Sequence, residues 1–130
     1  MSNSATESVR QYLDAMEARD LPRARALLAP DFRMIFPGAV QLDSLEALIE
    51  WSKPRYQYAR KTYEGFDETA TRDASPSSER VVYCFGTLSG RWNDGRDFSG
   101  IRFIDRFVVL DGLLADQRVW NDMAEVLIKI

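Results

Sequence analysis

The chain has 130 residues, 45% of them hydrophobic and 12% aromatic, which is enough to build the core of one domain spanning residues 1–130 and too little for two. Its formal charge is −3, with 17 basic and 20 acidic side chains mixed along the sequence, so no basic stripe exists to neutralise phosphates and nucleic acid is a poor partner. There is no histidine and Cys84 is the single cysteine, which removes the usual zinc sets, the Ser-His and Cys-His nucleophile systems and any internal disulfide.

Met1 to Glu7 is polar and lacks the charged start and apolar run of a signal peptide. No stretch approaches the roughly 20 apolar residues of a membrane span. With a lone cysteine suited to a reducing compartment, the expectation is a soluble, cytoplasmic protein that does not enter a membrane.

Val9, Tyr12, Leu13 and Met16 recur at helical spacing behind Ser4 or Thr6 as a cap, so Ser4 to Arg19 reads as an amphipathic helix. Asp20 is a second cap. Pro22 sits in a first turn, and Ala24, Leu27 and Leu28 carry a short helix that Pro30 ends. Asp31 to Phe36 follows as a strand that Pro37-Gly38 breaks, and Ser44 then starts a third helix, with Leu45, Leu48, Ile49 and Trp51, that stops near Pro54. Tyr56 to Thr71 alternates imperfectly, with a strand expected over Lys61 to Thr71. Asp73 to Glu79, which contains Ser75-Pro76-Ser77-Ser78, is a polar loop too short to link domains. Three long strands follow, Val81 to Trp92, Phe98 to Leu110 and Leu113 to Asp122. Helices first and a meandering sheet afterwards describe an α+β domain, with three N-terminal helices packed in a strongly curved antiparallel sheet.

The last third carries the most information, because Asp105 stands there among hydrophobes. An ionisable group on an apolar strand face lines a cavity or makes a structural pair. A three-residue turn at Asn93-Asp94-Gly95, with Gly95 left-handed, sets Asp105 opposite Tyr83, Phe103 opposite Phe85 and Phe107 opposite Val81. That row is coherent and apolar, whereas a two-residue turn at Asp94-Gly95 brings Cys84 and Gly86 beside Asp105 and Phe103. A turn over Leu110-Asp111-Gly112 pairs Phe107 with Ala115, Asp105 with Gln117, Phe103 with Val119 and Ile101 with Asn121. Its reverse face puts Arg106 opposite Asp116 and Arg102 opposite Trp120.

The expected inner face therefore holds Tyr83, Phe85, Phe103, Asp105, Gln117, Val119 and Asn121, an apolar wall with converging polar groups that suits a small, largely apolar ligand. The bland alternative has Asp105 bonding only Gln117, Tyr83 or Arg118. Tyr12 lies on the apolar stripe of the first helix, where its hydroxyl needs a partner. Trp51 is expected near the pocket mouth, and Tyr56 and Tyr58 either line that mouth or coat a turn. Cys84 is expected as a small buried hydrophobe on the outer face, together with Arg102, Ile104, Leu88, Arg118 and Trp120. Apolar groups at that density on an outer face mark an interface, so a homodimer is expected. No metal or organic cofactor is implied.

The order of elements, the segment Tyr12-Leu13-Asp14-Ala15-Met16-Glu17-Ala18-Arg19-Asp20-Leu21, the run Leu27-Leu28-Ala29-Pro30-Asp31-Phe32 and Ile104-Asp105-Arg106-Phe107 before Asp111-Gly112 resemble the SnoaL-like superfamily over nearly the whole chain. This is the cone fold of nuclear transport factor 2, ketosteroid isomerase, scytalone dehydratase and the polyketide cyclases. The resemblance implies a conical α+β barrel with a deep pocket and a dimer through the outer sheet face. It also aligns Tyr12 with the oxyanion-hole Tyr of ketosteroid isomerase and Asp105 with that enzyme's protonated Asp, a neutral carboxylic acid that donates a hydrogen bond. The isomerase's general base falls on Phe36, which cannot take a proton, and no histidine is present for a dehydratase mechanism. Asp105, Arg102 and Asp122 offer the residue types of an epoxide hydrolase set, but the expected register puts Arg102 and Asp122 on the opposite face.

Two functional classes stay open on these residues. In one, Tyr12 and Asp105, helped by Tyr83, Gln117 or Asn121 and lined by Phe36, Trp51, Tyr58, Phe85, Phe103 and Val119, act as isomerase, cyclase, dehydratase or hydrolase on a small cyclic or polyketide-like substrate, with Asp105 as an acid whose pKa a dry pocket raises. In the other, the pocket holds an apolar metabolite without turnover, or the protein is a dimeric accessory subunit. How the apolar tail Val126 to Ile130 is used is left open.

Overall fold

The structure, a computed structural model, describes residues 4–70 and 79–128. The loop expected before Glu79, apart from Glu79 itself, lies outside these residues, as do the first three and last two residues of the chain. Helix α1 (Ala5–Glu17) starts where Ser4 accepts a hydrogen bond from the Glu7 amide, and it buries the expected stripe of Val9, Tyr12, Leu13 and Met16. Side chains the size of Val9 and Leu13 contribute about 1.5–3 kcal/mol each when they leave water. Asp20 caps α2 (Leu21–Arg25) and Ser44 caps α3 (Leu45–Ser52).

Six strands form one curved, unclosed sheet, β1 (Leu28–Phe36), β2 (Val40–Leu42), β3 (Tyr56–Ala70), β4 (Glu79–Trp92), β5 (Asp97–Leu110) and β6 (Leu113–Asn121), in the order β2-β1-β6-β5-β4-β3. All neighbours are antiparallel except β1 and β6. A last helix, α4 (Met123–Ile128), follows β6 and takes most of the tail whose fate the sequence left open. The concave face receives α1, and the buried core joins Val9, Tyr12, Met34, Val82, Ile101, Phe107 and Leu114.

The short strand β2 was not expected, β1 starts at Leu28 before the expected Asp31, α1 ends at Glu17 before the expected Arg19, and the boundaries of the second helix and of β3 differ most. The second helix ends at Arg25 and not at Pro30, because the Leu27 carbonyl is taken by the Leu114 amide at 2.8 Å and Leu28 already pairs with Leu114. Pro30, which has no amide hydrogen to give a ladder, falls where that pairing shifts between Leu28 and Arg33. Strand β3 begins at Tyr56, five residues before Lys61. Irregularities at Tyr56/Tyr58 and Tyr63/Gly65 interrupt its alternation, which is why its sequence pattern looks weak.

The β4–β5 register corrects the sequence reading in an instructive way. The three-residue turn is present, with Gly95 at φ +92°, and near it Gly90 pairs with Phe98 as the turn requires. One extra residue then enters β5 at Ser99-Gly100, where Gly100 adopts φ +70°, a conformation that suits a glycine bulge. Beyond the bulge Asp105 faces Cys84, Phe103 faces Gly86 and Phe107 faces Val82. A shift of one residue moves a whole row to the other face. The buried row of β4 is accordingly Val82, Cys84, Gly86 and Leu88, while Tyr83 and Phe85 lie on the reverse face.

Strands β5 and β6 meet at a two-residue turn, Asp111-Gly112, both with positive φ, and an extra residue at Ala115 shifts the ladder again. Phe107 thus opposes Gln117, Asp105 opposes Val119 and Phe103 opposes Asn121, two residues from the expected pairing but on the expected faces. On the convex side Arg106 opposes Arg118 rather than Asp116, and Ile104 opposes Trp120. Asp116 accepts from Arg33 and Arg118, and Arg102 pairs with Asp122 instead of lying over Trp120.

The start of α1 is tied to the sheet by Glu68, whose Oε1 accepts from the Thr6 hydroxyl at 2.8 Å and the Thr6 amide at 2.9 Å while Oε2 accepts from Arg80 Nε at 3.2 Å. The Thr6 hydroxyl, its amide and Arg80 hold the Glu68 carboxyl below its usual range against the opposing effect of burial. A depressed carboxylate stabilises the fold above its unfolded pKa and loses that contribution as pH falls through the folded value. Glu68→Gln is therefore expected to lower stability by about 0.5–1 kcal/mol at neutral pH and to converge on the parent only once the pH has fallen below the depressed folded pKa, under the ordinary glutamate value of about 4.3. Urea midpoints at both pH values check this, and a difference that does not change with pH would contradict it.

Candidate functional site

The concave face holds a cavity of about 130 Å³ between α1, α3, the end of β1 and strands β3 to β6. Its floor is made of side chains removed from water, with Tyr12 1% exposed, Phe103 4%, Asp105 0% and Gln117 3%. Toward solvent the lining passes to half-buried Phe36, Trp51, Tyr56, Asn121 and Met123, and then to Glu17 and Arg19. The Phe36 and Trp51 rings meet edge to face at 4.9 Å.

Asp105 is not a lone carboxyl. Its Oδ2 accepts a hydrogen bond from Lys61 Nζ at 2.9 Å, closing an ion pair in which Asp105 is wholly buried and Lys61 partly so. Lys61 projects inward from β3, where it pairs with Leu88, and reaches across β4 to β5. Beside it Gly86 lets the strands close together, since a Cβ there would stand 2.0 Å from the Thr62 carbonyl oxygen. The ammonium also lies 5.3 Å from the centre of the Phe103 ring. Burial pulls the Lys61 pKa down, but the Asp105 carboxylate, with Tyr63 and Cys84, outweighs it and the net shift is upward.

Four buried polar atoms of cavity-lining side chains have no hydrogen-bond partner among the described residues, three at the floor, the Tyr12 hydroxyl, Asp105 Oδ1 and Gln117 Oε1, and Trp51 Nε1 nearer the mouth. Burial, opposed by Lys61 and reinforced by Asp105, raises the Tyr12 pKa, so the phenol stays protonated and serves as a donor. Cys84 lies opposite Asp105 on the concave face, not on the outer face where it was expected, and burial pushes its thiol up to about 12. A thiol in that state is a packing group and not a nucleophile.

The cavity brings together Tyr12, Phe36, Trp51, Phe103, Asp105, Gln117, Val119 and Asn121 from the expected set. It does not bring in three others. Tyr83 and Phe85 are turned away by the Gly100 bulge, and Tyr58 faces outward on β3 under the Arg60 guanidinium at 5.1 Å. Leu88, expected outside, lines the cavity instead. The partner of Asp105 is Lys61 rather than Gln117, Tyr83 or Arg118. Sequence reasoning missed Lys61 because β3 alternates poorly, although a carboxylate among hydrophobes calls for a cation somewhere on the same face.

A family model described as a SnoaL-like domain matches residues 9–117. No protein of curated function matches the chain in sequence. Among solved structures, a protein of unknown function from Burkholderia pseudomallei described as resembling nuclear transport factor 2 superposes with a TM-score of 0.74 at 22% identity, covering 98% of this chain and 97% of that one. A protein from Pseudomonas putida, named as a candidate polyketide cyclase, superposes with a TM-score of 0.71 at 16% identity, covering 99% of each chain. TerC, crystallised with polyporic acid, superposes at 0.73 with 14% identity and 95% of each chain covered. Such likenesses establish the cone fold.

The ion pair is asymmetric, and its variants should be too. Lys61→Met leaves a buried carboxylate without its counter-charge and is expected to cost about 3–5 kcal/mol. Asp105→Asn leaves the cation on Lys61, a side chain that is 23% exposed where Asp105 is 0%, and is expected to cost less, about 1–3 kcal/mol. The double variant should lose less than the sum, and urea unfolding of the four proteins gives the coupling. Additive losses would mean that the pair does not contribute as a pair.

Proposed function

The chain belongs to the SnoaL-like domain family, and we propose on that premise that it binds a small, largely apolar, oxygen-bearing ring and performs cofactor-independent acid–base chemistry on it. The observation that carries this reading is the state of Asp105: one carboxylate oxygen is fixed by Lys61 and the other, buried, has no partner among the described residues. Such an oxygen is suited to take a proton from a carbon next to a carbonyl. The Tyr12 hydroxyl, kept protonated by burial, donates to the carbonyl oxygen as charge develops there, and Gln117 Oε1 accepts from a ligand hydroxyl. Returning the proton to a different carbon isomerises the ring, and attack of the enolate carbon on a second carbonyl closes one, the alkoxide formed there taking the proton that Asp105 holds. The polyketide cyclase description of the Pseudomonas putida protein and the polyporic acid in TerC support an oxygenated cyclic ligand. Engineered cavities of about 150 Å³ take up benzene, so a volume near 130 Å³ suits one ring at the floor with the remainder toward the mouth.

A non-catalytic binder is the second reading, and Phe36 favours it, because the position of the isomerase base holds a phenyl ring. One experiment separates the two. Native mass spectrometry of protein purified from its own host is expected to show a retained small molecule that is lost in Asp105→Asn. Incubated in deuterium oxide with the identified ligand, the parent protein should exchange the proton beside the carbonyl, and Tyr12→Phe should slow this about 10²-fold or more. A ligand that binds without exchange would leave the binding role alone, and an empty pocket would remove both.

We also propose a homodimer through the convex face, where Trp120 is 51% exposed beside its cross-strand neighbour Ile104. Light scattering at micromolar concentration should give the mass of two chains. Trp120→Glu should give one, and a monomeric parent protein would end the proposal.

A further inference from the structure

The mouth of the cavity carries charge that the chemistry at its floor does not use. Arg19 and Arg55 have no carboxylate partner among the described residues. The Arg55 guanidinium lies 4.0 Å over the Trp51 ring, which orients it without neutralising it. Arg19 lines the cavity and Arg55 stacks on Trp51, which lines it too, and both guanidinium groups lower the Tyr56 hydroxyl pKa against the larger upward effect of its burial. Glu17 is the opposing carboxylate of the rim. Its field falls on Tyr63, and it also borders the outer cleft that holds Arg60.

Arg19 occupies a position that local physics assigns to another residue. It follows α1 at φ +57°, with its amide bonded to the Met16 carbonyl and the Asp20 amide to the Ala15 carbonyl, the helix ending in which glycine is preferred. An L-residue there is strained where glycine is not. The arginine side chain recovers part of this by bonding the Met16 carbonyl at 2.9 Å through one Nη, and its other donors remain at the rim. Trp51 Nε1, buried in the same wall, is a further donor with no partner among the described residues.

We propose that this mouth is a carboxylate subsite, in which Trp51 Nε1 and the Arg19 and Arg55 guanidinium groups hold the anionic end of a one-ring ligand whose other oxygen meets Asp105 and Tyr12 at the floor. The inference rests on the small-molecule reading above and narrows its ligand class to ring acids. A neutral ester of the same ring would satisfy the floor but leave the cations facing only water. The charge at the mouth also draws an anion toward a protein whose overall charge is −3.

Calorimetry with 4-hydroxybenzoate and its methyl ester tests this, because the two share the ring and the phenolic oxygen and differ in the charge. The parent protein is expected to bind the acid about tenfold more tightly than the ester. Arg19→Gln and, separately, Trp51→Phe should reduce that preference to about threefold or less by weakening the acid. Raising potassium chloride from about 0.05 M to about 0.5 M should weaken the acid and not the ester, a readout that needs no variant. Equal binding of acid and ester by the parent protein, or a preference that neither salt nor the variants move, would overturn the carboxylate subsite while leaving the pocket reading intact. Failure of both compounds to bind would overturn the two together.

Discussion

A wholly buried carboxylate on β5 constrains everything around it. An ionised group without a partner in an apolar wall is too costly to keep, so the fold must deliver a cation to Asp105 from within the same cavity. The cation comes from β3, two strands away, and this fixes more than one contact. Lys61 must point inward against Leu88, Asp105 must point inward against Cys84, and Gly86 must let the intervening strand close beneath the pair. A slip of one residue on either ladder would send one partner to the convex face and leave the other stranded. Strand register, sheet curvature and site electrostatics are therefore one problem with one solution.

The polar atoms beside that pair point away from a purely structural account. The Tyr12 hydroxyl, Asp105 Oδ1 and Gln117 Oε1 come from α1, β5 and β6, yet all three are buried at one cavity with no partner among the described residues. Each such atom costs about 1–3 kcal/mol, and phenylalanine, leucine or methionine at those positions would avoid the penalty. The same cavity accepts apolar residues freely at Leu13, Leu88, Phe103 and Val119. Three unmet polar atoms set among apolar side chains at the floor are the composition on which the proposed small-molecule reading draws.

Most of the fold could be read from the chain because its signals are local. Caps at Ser4, Asp20 and Ser44, the stripe on α1 and the breaks at Pro37-Gly38 and Asp111-Gly112 each report on a few neighbouring residues. What resisted reading was long-range. The turn at Asn93-Asp94-Gly95 was legible, but one extra residue at Ser99-Gly100 reversed the faces of β4 relative to β5, which removed Tyr83 and Phe85 from the cavity, buried Cys84 on the concave face and put Leu88 in the cavity wall. The β5–β6 ladder escaped this fate only because its error was two residues, an even number that preserves the faces. Lys61 stayed hidden for a related reason, since irregular pairing along β3 erased the alternation that would have marked its inward face.

Lys61 also changes what Asp105 can do. In ketosteroid isomerase an apolar site keeps one aspartic acid neutral as a donor while a second carboxylate at the first strand takes the proton. The resemblance puts Phe36 at the position of that second carboxylate, and in the structure Asp105 accepts a hydrogen bond from an ammonium. On the proposed reading the donor at the floor is then the Tyr12 phenol, and the acceptor is Asp105 itself. Resemblance alone would assign Asp105 the role of acid, whereas the ion pair suits it to the role of base. One carboxylate can serve both to remove and to return a proton, provided a fixed cation holds it in place between the two steps, and Lys61 at 2.9 Å meets that condition without any group at Phe36.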